Sequence, residues 1–370
     1  NKATKEFKSG EVCYLLQSVQ EKNDETGEIP MVWGQTIGTD KAPVLTNDSA
    51  RKVYSTTGCE IYSNTEPEIK EKAHNLGSDL KCTDCGKYDK PVLNKDVYEI
   101  SNASQLYWFA EYVNSGNTSA NAILKENIVV NENVLDADGK LNKDTSRFVS
   151  WTPIGSESVK YAGKFDGNGK TISGLYFNND SLEEVGLFGY VSDSGDVSNV
   201  GVVDSYIKGS DSVGGVCGWN LGTITNCYNN GIVSGNNFVG GVCGLNNGTI
   251  KNCYNNGAVS GNNFVGGVCG GNYGTITNCY NNGAVSGSNA VGGVCGGNYG
   301  TIKNCYNNGA VSGSYSVGGV CGDNRGTIKN CYNNGAVSGS ARVGGVCGVN
   351  SDTITSCYNN SDKYNGNAIG

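Results

Sequence analysis

The chain has 370 residues, 56 of them glycine, and only 37 % are apolar, which excludes one large globular core and suits a thin, elongated one. Its net charge is −8 with no long basic run, so a nucleic-acid partner is disfavoured, and no apolar stretch is long enough to cross a membrane. Carboxylates crowd the first 210 positions; from Val213 to Asn350 the only one is Asp323.

Residues 1–50 form a first piece, marked by S-G-E-V-C-Y-L-L-Q (Ser9 to Gln17) and V-W-G-Q-T-I-G (Val32 to Gly38). Residues 51–95 form a second, polar and poor in core residues. Here Cys59, His74, Cys82 and Cys85 read C-x14-H-x7-C-x2-C, and His74 is the single histidine of the chain. A C-x2-C turn sets two thiolates on one face of a tetrahedron. A third Cys and a His complete a structural zinc site, the staple that so small a module needs. The competing reading is a disulfide from Cys59 to one of the pair, with His74 in solvent.

Residues 96–182 come next. Ser104 to Asn114 has helical spacing, with Leu106, Phe109 and Val113 on one face and Gly116 as a stop signal. An open solenoid end leaves strand edges unpaired, so this helix is expected as an N-terminal cap. Tyr107, Trp108 and Phe109 read as core rather than as a ligand platform. D-A-D-G at Asp136 to Gly139 lacks the remaining ligands of a calcium loop and reads as a surface turn.

Residues 183–360 carry a repeat. Cys217, Cys243, Cys269, Cys295, Cys321 and Cys347 recur every 26 residues, and so do Cys227, Cys253, Cys279, Cys305, Cys331 and Cys357. The unit is V-G-G-V-C-G-x-N-x-G-T-I-x-N-C-Y-N-N-G-A-V-S-G-x-x-x. Its apolar runs are short and bounded by Gly or Asn, which predicts three short strands per coil. Stacked coils pair their backbones with the coils above and below. A degenerate coil precedes, with Phe188 in the place of Cys217 and Val200 in the place of Cys227. Both cysteine slots are therefore apolar and core-facing. The twelve repeat cysteines are either buried free thiols or one disulfide per coil, such as Cys217 with Cys227. The repeat decays near residue 360, and 361–370 reads as an exit segment.

Catalytic chemistry is not expected. A nucleophilic triad would have to use His74, there is no H-E-x-x-H, and the coils offer only Asp323 with Arg325. Identical coils instead produce ladders: Tyr228, Tyr254, Tyr280, Tyr306, Tyr332 and Tyr358, and beside them Asn229, Asn255, Asn281, Asn307, Asn333 and Asn359. Such rows either hold a glycan or simply stack on themselves. A flat threonine array for ice is broken by Lys251, Lys303 and Lys329.

The repeat resembles the GLUG-motif family of bacterial surface proteins, through G-G-V-C-G (Gly214 to Gly218) followed by G-T-I-x-N-C-Y. Upstream, Y-E-I-S-N-A-S-Q-L-Y-W-F-A-E-Y-V-N (Tyr98 to Asn114), W-T-P-I-G (Trp151 to Gly155) and F-D-G-N-G-K-T-I-S-G-L-Y (Phe165 to Tyr176) resemble segments that precede such solenoids. Residues 1–50 resemble the module that follows a solenoid, and the final N-A-I-G the point where that module begins. The resemblance implies a slice through a tandem array in a secreted or wall-bound protein, and relatives include non-catalytic parts of IgA-type metallopeptidases. The expected fold is all-β, a right-handed parallel β-solenoid of about 26 residues per coil behind a helical cap and a small Cys/His module. The expected function is that of a non-catalytic adhesin or stalk segment at the cell surface or wall. Alternatives are an accessory region of a secreted peptidase or glycan-degrading enzyme, and a glycan-binding module. Expected partners are a surface protein or glycan, with no nucleic acid and no membrane insertion, and the chain is expected to be monomeric within its array.

Overall fold

A computed structural model describes residues 7–8, 10–18, 33–46, 48–56, 61–63, 75–360 and 367–370. It separates into two units, Asn1–Lys90 and Pro91–Gly370.

In the first unit, helix Glu11–Ser18 lies by an antiparallel pair, Trp33–Gly34 with Val44–Leu45. Gln17 ties them by donating Nε2 to Trp33 O at 2.8 Å, and Gln35 donates to Phe7 O at 2.6 Å. Gln35 N donates to Arg51 O and Val53 N to Gln17 Oε1, so residues 51–53 pack with the first fifty. A second hairpin pairs Tyr54–Thr56 with Ile61–Ser63.

The second unit is a parallel β-solenoid. The five coils that start at Asp211, Asn237, Asn263, Asn289 and Tyr315 each contribute five short strands, not three. In the first regular coil these are Asp211–Gly214, Cys217–Asn220, Thr223–Thr225, Tyr228–Asn229 and Ile232–Ser234. They belong to parallel sheets of six, seven, eleven, nine and seven strands respectively. Identical residues meet in register, as in Cys217↔Cys243 and Tyr228↔Tyr254. The extra strands follow from corners that sequence patterning does not reveal. One such corner is the Asn226 position, held at φ 54 and repeated at Asn252, Asn278, Asn304 and Asn330. Asn tolerates that left-handed backbone better than most residues with a Cβ.

The core is a set of one-residue-wide apolar columns. One runs Ile154, Phe188, Cys217, Cys243, Cys269, Cys295, Cys321, Cys347, Ile369. The predicted equivalence of Phe188 with Cys217 is therefore literal. Residues 368–370 do not lead away from the stack. Ala368 O accepts from Val346 N and Cys347 N, and Gly370 N donates to Cys347 O, so A-I-G lies where the next V-C-G would.

The N-terminal end is built differently. Val92–Asn94 and Val97–Ile100 form a hairpin whose turn residues, Lys95 and Asp96, both have positive φ, as a tight two-residue loop requires. Val92–Asn94 thus belongs to the eleven-stranded sheet, within the unit that begins at Pro91. Helix Ala103–Asn114 is the crossover between parallel strands Val97–Ile100 and Asn121–Leu124. Asn102 caps it, accepting from Gln105 N at 2.9 Å, while Gln105 Oε1 accepts from Ser101 N at 2.8 Å. Leu106, Phe109 and Val113 are fully buried. Phe109 lies 6.1 Å from Phe165, and Tyr107 meets Trp151 edge-on at 5.1 Å, so both are core. Trp108 is half-buried and stacks on Tyr112 at 4.7 Å.

Candidate functional site

The repeat has one strong chemical feature, its ladders, and the structure sorts them into inside and outside. Two of the inside ladders are asparagine. Asn220, Asn246, Asn272, Asn298 and Asn324, and likewise Asn229, Asn255, Asn281, Asn307 and Asn333, are 0 % exposed. Asn229 shows how such an amide is satisfied. Its Oδ1 accepts from Gly231 N at 3.1 Å, and its Nδ2 donates to Gly231 O and to Asn255 Oδ1, both at 2.9 Å. Asn220 does the same with Gly222 and Asn246. The spacing N-x-G, present twice per repeat, is the sequence signal for this motif. Of the two readings of the Asn229 column, glycan contact or self-stacking, the geometry fits the second. The column is buried and saturated, so it cannot bind a ligand.

The tyrosines lie at the surface as a continuous stack. Ring centroids are 4.8 Å apart at Tyr228–Tyr254 and 5.3 Å at Tyr332–Tyr358, with interplanar angles of 2° and 10°. At the N-terminal end the Tyr228 ring lies against Gly201, where a Cβ would strike it. Ring faces inside the stack are therefore covered, and solvent meets ring edges and hydroxyls. That geometry leaves no room for a sugar ring to stack between tyrosines. The ladder's amide neighbours at the surface are other rows. Asn256 donates to Asn230 Oδ1 at 2.8 Å and Asn252 to Asn226 Oδ1 at 3.1 Å, and both rows are exposed.

The cysteines form two columns, and all described cysteines are free thiols. Each thiol has its sulfur neighbours in its own column, one coil away. Cys253 N donates to Cys279 Sγ at 3.4 Å, and Cys217 stands opposite Cys243 while its thiol donates to Trp219 O at 3.2 Å. Cys217 and Cys227 stand in different columns, opposite Cys243 and Cys253 respectively. Burial pushes the thiols of Cys217, Cys253, Cys269, Cys305 and Cys321 well above the ordinary value. Burial acts the same way on Cys243 and Cys295, against thiol hydrogen bonds from both neighbours that bring them down to about 5. Among the described residues no buried cation stands by either column to hold a thiolate.

Of the Cys/His set, Cys59 and His74 lie outside the described residues. Cys82 is buried and Cys85 half-buried, on a knuckle where Gly86, at φ 69, donates to Cys82 O at 2.7 Å. At Asp136 the carboxylate accepts from the backbone of Asp138 and Lys140, the self-capping of a surface turn. Asp323 and Arg325 form an ion pair at 3.0 Å.

Residues 287–312 match the model of the GLUG motif, a span of one repeat. A Bacteroides ovatus crystal structure, provisionally described as an immunoglobulin A1 protease, superposes with a TM-score of 0.50 at 22 % identity, covering 78 % of this chain and 82 % of that one. At that identity the likeness is one of fold. A protein of Evansella cellulosilytica described as a Gly-rich membrane protein is 36 % identical over 79 residues, 20 % of this chain. Halomucin of Haloquadratum walsbyi is 32 % identical over 103 residues, 27 % of this chain. The matches span 9 % and 1 % of those two relatives.

Proposed function

We propose that this GLUG-motif chain is a non-catalytic extracellular spacer, a stiff solenoid segment that stands at a cell surface and presents its outer faces to a partner. The observation that carries this reading is the use of the buried side-chain amides. Both asparagine columns are spent on joining coil to coil, in addition to the backbone ladders of five sheets. Such a stack resists extension and bending, because every coil boundary is hydrogen-bonded across its whole perimeter. The names of two relatives, a membrane protein and a halomucin, support a place at or outside the envelope. The Ala103–Asn114 helix and the Val92–Ile100 hairpin we read as the N-terminal cap, since they cover strand edges that would otherwise pair with another chain.

Antibody raised against the purified chain should label intact cells that carry the gene, and protease added to those cells should remove the label. Labelling only after lysis would overturn the surface role. The reading as an accessory region of a secreted peptidase is supported by fold likeness alone. A peptidase domain in the same open reading frame would favour it.

The knuckle Cys82–Cys85 we read as half of a structural zinc site completed by Cys59 and His74. One preparation tests both classes of cysteine. Metal analysis should return zinc in equimolar amount. Thiol titration of the folded chain should leave the repeat cysteines silent except half-exposed Cys357, and unfolding without reductant should release all twelve. Absent zinc sinks the metal site; missing thiols in the unfolded chain report disulfides and sink the thiol assignment.

A further inference from the structure

We propose that the outer face of the Thr223–Thr225 sheet, from Lys251 to Thr355, is a docking surface for an extended acidic polysaccharide. In the five strands from Thr223–Thr225 to Thr327–Lys329 the central Ile is fully buried and the flanking residues point outward, while Ile354 in the last strand is half-buried. One outer row is Thr223, Thr249, Thr275, Thr301 and Thr327. The other reads Thr225, Lys251, Thr277, Lys303, Lys329, Thr355, in register from coil to coil. The corner beside it carries the exposed Asn226 ladder, each amide giving one N–H to the preceding coil and leaving its second for solvent.

The lysines are unexplained by folding. Thr fills the same position in three sister coils and has the higher strand preference. Lys303 and Lys329 stand directly opposite each other on neighbouring strands, an arrangement of like charges that destabilises a sheet. All three lysines are exposed, and none makes an ion pair or ring contact among the described residues. The nearest carboxylates by position are at the two ends of the face. Asp166 and Asp196, with Lys164, lie on its first strands, and Asp352, in the last bend, accepts from Thr353 Oγ1 at 3.0 Å. From Val213 to Asn350 five cations face one carboxylate, Asp323, and Arg325 pairs with it, although the whole chain carries −8.

An uncompensated cationic row on a flat face complements a linear polyanion. Coils are spaced at about 4.8 Å. An extended pyranose chain advances by a similar step per sugar, so acidic groups on successive sugars meet Lys303 and Lys329, and one two sugars away meets Lys251. Threonine hydroxyls and Asn226-row amides then serve the sugar hydroxyls. Nucleic acid fits less well, because this lattice offers no aromatic faces to stack bases and only three cations on an acidic chain.

The proposal relies on the surface role only for where such a polymer would be met; binding is measured on the purified full chain, so either idea can fail alone. Affinity electrophoresis in polygalacturonate, in its fully methyl-esterified form and with duplex DNA separates the sources of charge. Expected are retardation by polygalacturonate that fades with salt, none by the esterified polymer, and weaker DNA binding. The variant K251T/K303T/K329T, built from residues the sister coils already use, should keep or raise its melting temperature and bind about tenfold or more weakly. Arg342→Ala, off this face, should bind as the parent does. No retardation by polygalacturonate, equal retardation by the ester, a preference for DNA, or unchanged binding by the triple variant would each overturn it.

Discussion

Asn281→Asp is expected to destabilise the solenoid by about 3–5 kcal/mol at neutral pH, the scale of an uncompensated buried charge. Asn281 is 0 % exposed. Its Nδ2 donates to Gly283 O at 2.7 Å and to Asn307 Oδ1 at 2.8 Å, and its Oδ1 accepts from Asn255 Nδ2 at 2.8 Å. Aspartate keeps the shape but turns both donations into oxygen facing oxygen. The amide of Asn307 cannot rotate to answer without giving up its own bond to Asn333. Burial raises the folded-state pKa of the new carboxyl above its unfolded value of about 3.9. The ionisation penalty is therefore absent below that pH. It then grows by about 1.4 kcal/mol per pH unit until the folded carboxyl also ionises. Asn281→Leu removes the same bonds without a charge and should show a loss that pH does not move. Denaturant unfolding across pH measures both. Parent-like stability of the Asp variant at neutral pH would mean that the amide column does not hold the coils together. In a stack where each coil touches only its neighbours, the damage should appear as fraying of the coils beyond residue 281, visible by hydrogen exchange.

A second large effect is expected at Gly309, where Gly309→Ala should cost about 3 kcal/mol, the upper range for overpacking. A Cβ there would meet the carbonyl oxygen of Gly283 in the preceding coil and stand 2.9 Å from Asn281 Nδ2. The obstacle is backbone, and five sheets hold the coils at fixed spacing, so neither partner can withdraw. Gly169→Ala makes the control. Gly169 sits at φ +73 with nothing within 4 Å of an added Cβ, so its variant carries only the left-handed cost, about 1–2 kcal/mol. Melting curves compare the two directly. Equal losses would show that Gly309 is kept for backbone freedom and not for close approach.

These two positions also mark how far the sequence could be read. The period alone determined the stacking. Once a unit of 26 residues recurs, only in-register coils let Cys meet Cys and Ile meet Ile, and the Phe188–Cys217 equivalence followed from the degenerate coil. The helix after Asn102 was equally plain, because Leu106, Phe109 and Val113 fall on one face whatever they pack against. The Cys82–Cys85 pair could be named, but with Cys59 and His74 outside the described residues its partners stay with the proposal.

Only the tertiary structure decided which way the asparagines point. Asn226, Asn229 and Asn230 look alike in the repeat, yet the first and third are exposed and the second is sealed inside. Strand alternation gives direction only while a strand runs straight, and here no strand exceeds four residues before a corner resets the phase. Those corners split the coil into five strands instead of three and put one asparagine row inside as mortar between coils. They also left the tyrosine faces closed against each other. What remained outside, the Thr and Lys lattice, was visible in the sequence as an interruption of a regular array. The period already made Lys303 and Lys329 neighbours; the tertiary structure decided that both stand exposed on one outer face.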